Sequence, residues 1–174
     1  MASEPPPQTD PFQLDAIDDV DFGPMRLMRQ TFHAKQTGVA DWSELDLVYW
    51  EGTLGGARFD IYVEEAGAFP EIPPDSRMML KRLGATVAAM RQEVAGRMLD
   101  LARDWAESGE LPEPTPASLE AALRLDAIHT YEDWAPTLYF EECETDIDRM
   151  IFAGHVVEVR LTPDGSISEA HIAG

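Results

Sequence analysis

Gly154-His155-Val156-Val157-Glu158-Val159-Arg160-Leu161-Thr162-Pro163-Asp164-Gly165-Ser166-Ile167-Ser168-Glu169-Ala170-His171-Ile172-Ala173-Gly174 closes the chain and carries its clearest structural signal. Two runs with period-two alternation flank an Asp-Gly pair, the pattern of an antiparallel hairpin. The simplest geometry for Thr162 to Gly165 is a type I turn followed by a glycine in the left-handed region. A second hairpin stands further upstream. Leu45 to Glu51 alternates in part, Gly55-Gly56 follows, and Ala57 to Glu65 sets Ala57, Phe59, Ile61 and Val63 against Arg58, Asp60, Tyr62 and Glu64.

Between the hairpins the period changes from two to 3.6. Leu80, Leu83, Val87, Met90, Val94, Met98, Leu101 and Trp105 recur at spacings of three and four, predicting one long helix capped by Asp75 or Ser76 and ended by Gly109. Thr115-Pro116 predicts a short second helix to Arg124. Strands are expected at Leu125 to Tyr131 and Thr137 to Glu142, with Glu132-Asp133-Trp134 as the turn between them. Near the start, short apolar stretches alternate with acids from Phe12 to Thr31, Gly23-Pro24 reads as a turn and Met25 to Phe32 as a strand. Strands grouped around helices predict an α+β fold: an antiparallel sheet with one long and one short helix packed on a face. Residues 1–11, rich in proline, read as a mobile tail, and 12–174 as a single α+β domain.

The formal charge is −20, from 33 acidic and 13 basic residues. Residues 1–75 hold 15 acids and 4 bases, residues 76–112 hold 5 and 6, and residues 113–174 hold 13 and 3. Without a basic stripe, direct nucleic-acid binding and attachment to an anionic membrane are both disfavoured. No basic start precedes an apolar run, and a single cysteine, Cys143, allows no internal disulfide; a cytoplasmic location is expected.

No catalytic motif is spelled out, and neither a catalytic residue nor a cofactor is expected. Gly52-Thr53-Leu54-Gly55-Gly56 lacks the lysine of a phosphate loop, and no Gly-x-Ser-x-Gly occurs. No metal is expected either. Were one to bind, the candidate ligands would be His155 and His171, brought together across the closing hairpin, with Glu142, Glu144, Asp146 and Asp148. In an extended chain those four carboxylates share one face. They do not fit an EF-hand: counting from Asp146, Ile151 takes the place of the glycine and Val157 that of the glutamate.

Phe152-Ala153-Gly154-His155, the valine-rich strand, Asp164-Gly165 and Ala170-His171-Ile172-Ala173-Gly174 resemble the closing signature of a family of uncharacterised bacterial proteins, a domain of unknown function. The likeness extends more weakly over residues 45–174. It implies a helix packed on an antiparallel sheet and no established activity; some such families look like immunity proteins of toxin systems.

The leading expectation is therefore an acidic, non-enzymatic domain that binds a basic protein, such as a toxin it neutralises. Glu141, Glu142, Glu144, Asp146, Asp148 and Trp134 are the candidate contacts. Two alternatives stand beside it: a metal-dependent hydrolase or small-ligand enzyme at His155 and His171, and an inhibitor that mimics nucleic acid.

Overall fold

The computed structural model describes residues 10–34, 43–63, 71–130 and 135–173. Their frame is one eight-stranded sheet whose strands lie side by side in chain order. These are β1 (Phe12–Asp19), β2 (Gly23–Ala34), β3 (Ser43–Leu54), β4 (Ala57–Val63), β5 (Leu123–Thr130), β6 (Thr137–Glu142), β7 (Val156–Leu161) and β8 (Ile167–Ala173). Two helices, α1 (Pro74–Ser108) and α2 (Pro116–Ala122), fall between β4 and β5. They form the crossover, so β4 and β5 are the one parallel pair, and all other neighbours are antiparallel. The fold is α+β, as the pattern predicts.

Both hairpins form as read. Leu54 pairs with Ala57 around Gly55 and Gly56, whose φ of 61° and 92° are what a tight two-residue turn requires. In the closing hairpin the Gly165 N–H donates to the Thr162 carbonyl at 2.8 Å, and Gly165 has φ 89°. That is a type I turn with a left-handed glycine.

Four local readings shift. The turn after β1 is Val20 to Phe22, and Gly23-Pro24 begins β2 instead. Asp19 makes that turn, its Oδ1 accepting from the Asp21 and Phe22 N–H groups. Helix α1 starts at Pro74, with Pro73 as a cap that offers no side-chain bond. Proline at the first position needs no N–H partner there, so neither Asp75 nor Ser76 is required as a cap. Leu101 lies off the packed face and is exposed, because the buried track runs on through Ala95, Ala102 and Ala106. Helix α2 stops at Ala122, since Leu123 already pairs with Glu142. The turn expected at 132–134, the last residues of the Ala57–Glu65 run and most of the N-terminal tail lie outside the described residues.

Alternation sorts the sheet into two faces. Met25, Leu27, Trp50, Phe59, Ile61, Ile128, Leu138, Phe140, Val157 and Val159 point toward α1 and join its Leu80, Leu83, Val94 and Met98 in the core. The first turn of α1 is tied to the β1–β2 turn by charge. Arg77 meets Asp19 at 2.6 Å and Asp21 at 2.8 Å, Lys81 meets Asp21 at 2.7 Å, and the Arg77 guanidinium sits 5.6 Å from the Phe22 ring centroid. The Arg77 hydrogen bond holds the Asp19 carboxyl down at about 2.

One glycine is required by packing. Gly52 lies opposite Phe59, and a β-carbon there would come within 2.4 Å of the Phe59 ring. Phe59 is fully buried, with Phe22 edge-on at 5.3 Å, so the ring has no room to retreat. Gly52→Ala is expected to cost about 1–3 kcal/mol in urea unfolding. Phe59→Leu in the same chain should recover part of that loss by freeing the ring's space.

Candidate functional site

At the C-terminal end of α1 the chain builds a concave, partly apolar site. The segment after β6 is folded by its own carboxylates. Glu142, buried, accepts from the Ile151 and Phe152 N–H groups, each at 2.8 Å, one on each carboxylate oxygen. Glu144 Oε1 accepts from the Thr145 and Asp146 N–H groups, and these bonds hold its carboxyl below the usual range. Asp146 caps a single 3-10 turn at Ile147–Arg149 through the Asp148 N–H. The expected extended row of carboxylates therefore does not exist. Unpaired backbone donors in a connecting segment need acceptors, and these side chains supply them.

So folded, the segment leans on α1. Trp105 meets Phe152 edge-on at 5.9 Å and His155 at 5.6 Å. Between them opens a hollow of about 550 Å³ walled by Trp105, Leu111, Ile147, Met150 and Ile151. Among the described residues Asp148 is its one charged lining residue, and Ile147 is 61% exposed.

Two features of the hollow are electrostatic and conformational. The last turn of α1 holds no basic residue, so the negative end of its dipole is left uncompensated beside Asp148. The nearest base in sequence, Arg149, lies 4.0 Å from Glu144. Among the described residues only Glu110 and Ala153 combine a side chain with positive φ, 55° and 50°, and they flank the hollow on its two sides. At Glu110 the cause is plain. Leu111 N–H bonds the Ala106 carbonyl at 2.8 Å and Glu110 N–H bonds the Glu107 carbonyl at 3.2 Å, a Schellman end with glutamate in the left-handed position.

The other candidates are dispersed. Glu141 pairs with Arg124 across the β5–β6 ladder, and Trp134 lies outside the described residues. His155 and His171 do not meet. The register sets His171 opposite Glu158, three residues from His155, so the two rings belong to opposite faces. His171 lies 3.8 Å from Glu158 and 3.8 Å from Glu169, whereas His155 stays against Trp105. Among the described residues, no three His, Cys, Asp or Glu side chains gather where a metal ion could be held.

A polar pair that the sequence did not single out sits on the face away from α1. Asp60 on β4 is opposite His129 on β5, with Oδ2 3.3 Å from Nε2 but off the line of a hydrogen bond. Burial, with Glu51 adding to it against Arg58, pushes the Asp60 carboxyl up to about 6. Burial also lowers His129. Tyr139 lies 4.8 Å and Tyr62 6.1 Å from the histidine ring. Alternation gives no hint that Asp60 is buried, because its partner strand arrives only after the helical crossover.

The fold and hollow define a class: an acidic α+β domain with one helix laid on an eight-stranded sheet and a partly apolar site at the helix end. The chain belongs to the bacterial family described as "Uncharacterized protein conserved in bacteria (DUF2262)", which matches residues 50–172. That span includes the hollow, Asp60 and His129, and agrees with the resemblance seen in the closing hairpin. No curated protein and no solved structure matches the chain. No helix among the described residues is long and apolar enough to cross a membrane.

Two measurements probe these local geometries. Glu110→Gly removes the left-handed strain and should raise Tm by about 2–4 °C, for roughly 1 kcal/mol gained. Asp60 carries a folded pKa above its ordinary 3.8, so the folded state binds the extra proton, and stability falls as pH rises from 3.8 through about 6. Asp60→Asn should match wild type near pH 4 and exceed it by about 2 kcal/mol at pH 8 in urea titrations.

Proposed function

We propose that this is a non-enzymatic protein-binding domain whose hollow at the end of α1 receives a basic, partly apolar segment of a partner protein, a toxin neutralised by binding being one such partner. The observation that carries this reading is the combination at one place of an exposed apolar wall and an unbalanced negative field. Ile147, Met150 and Trp105 offer the kind of surface that anchors protein contacts. Asp148 and the uncompensated helix end favour a cation beside it. The −20 net charge adds long-range attraction for a basic partner and repels polyanions.

The site is also held in shape before anything binds. The bonds made by Glu142, Glu144 and Asp146 order the segment, so little conformational entropy remains to be lost on association. The enzymatic alternative at His155 and His171 loses its constellation with the register of the closing hairpin.

Co-expression with the products of neighbouring genes, followed by purification at low salt, tests the proposal. A basic protein should co-purify with the wild type and be released as salt is raised. Ile147→Asp and Asp148→Lys should each weaken that complex by about tenfold or more. A complex that both variants retain unchanged, or no complex with any neighbour, overturns the assignment.

A further inference from the structure

A second recess, unlike the hollow in sign, lies between the middle of α1 and the sheet. It is a crevice of about 270 Å³ under Leu83 and Val87 of α1, floored by Leu125, Ile128, Leu138 and Phe140. Gly84 admits the tip of the β3–β4 hairpin at its edge, where a β-carbon would lie 3.2 Å from Leu54 Cδ1. Among the described residues, Arg91 and Arg124 are the only charged ones that line it. In a chain with 33 acids and 13 bases, a recess lined, among the described residues, by two cations and no carboxylate stands apart.

Both arginines have acidic neighbours outside the crevice. Arg91 reaches Glu120 only at 3.9 Å, and Arg124 pairs with Glu141. The Arg91 Nε is nevertheless buried with no hydrogen-bond partner. The side chain as a whole is 42% exposed, so its guanidinium can meet an anionic oxygen at the crevice mouth. The apolar floor would receive whatever carbon chain carries that oxygen.

We propose that this crevice binds a medium-chain carboxylate, with the alkyl chain against Val87, Ile128 and Phe140 and the carboxylate at Arg91. Size sets the chain length. A 150 Å³ apolar cavity accepts benzene, so the crevice holds about ten carbon atoms. Each buried methylene favours binding, and a carboxylate–guanidinium contact at the mouth selects the anion over a neutral or cationic head. The site is independent of the protein-binding hollow, and its failure would leave that reading standing.

Calorimetric titration of the full chain with decanoate, 1-decanol and decyltrimethylammonium tests it. Decanoate should bind saturably with one-to-one stoichiometry, and the cationic amphiphile at least about tenfold more weakly. Ala88→Phe, at an exposed position lining the crevice, should fill it and abolish binding. Arg91→Gln should weaken decanoate about tenfold while leaving decanol unchanged. Thermal unfolding confirms that each variant is folded. Absence of saturable decanoate binding below roughly 1 mM, equal binding of all three probes, or affinity unchanged in both variants would overturn the proposal.

Discussion

One helix has to cover an eight-stranded sheet, and most of what is distinctive about this protein follows from that constraint. Helix α1 is about 52 Å long, and eight strands at their usual spacing span about 34 Å. A single rod about 10 Å thick seals a stripe of such a sheet and leaves the flanks to other devices. The buried stripe is apolar on both sides of the interface, with Leu80, Val94 and Met98 set against Phe59, Ile128 and Phe140. Small residues, Ala95, Ala102 and Ala106, let the helix settle closely toward its C-terminal end. Where the stripe ends, recesses open: the crevice beside Gly84 and the hollow beyond Trp105.

The acidity of the chain serves structure before it serves any partner. Asp19 turns β1 into β2 and anchors Arg77, Glu142 secures two backbone N–H groups, and Glu144 and Asp146 shape the turn that follows. A carboxylate bonded to two N–H groups keeps its charge, but the lone pairs engaged there are not free to bond a partner directly. Asp148 and the C-terminal end of α1, whose last turn holds no base, border the hollow.

How much of this was legible in the sequence depends on whether local chemistry or tertiary pairing decides each element. The Gly55-Gly56 and Asp164-Gly165 hairpins were legible because the turn residues and the alternation agree. The long helix was legible because its apolar period outlasts two glycines. Strand β1 was not assigned, because it is an edge strand whose Phe12, Leu14 and Ile17 stay exposed, and its short apolar stretches among acids do not mark one buried face. The His155–His171 pairing failed on parity: an odd offset of three residues in a ladder sends the rings to opposite faces. The acidic run was visible, but its roles were not. Which carboxylate would find a backbone donor depended on how residues 143–155 fold back on α1, and no spacing encodes that.

The two recesses along α1 differ in sign for a reason rooted in the helix itself. Among the described residues the charges that line the crevice are basic, Arg91 from α1 and Arg124 from β5, whereas the C-terminal end of α1 carries the negative pole and no base in the last turn. From Arg91 to Ser108 is about 25 Å along the axis, roughly three Debye lengths at physiological salt. At that separation a charge at one recess does little to the potential at the other. The mid-helix cations therefore leave the helix end's preference for a positive group intact, and that negative end leaves the crevice free to accept an anion. A basic protein segment and an alkyl carboxylate would then engage the same rigid element without competing for it. Any coupling between them would have to travel through the packing of α1 on the sheet and not through the field.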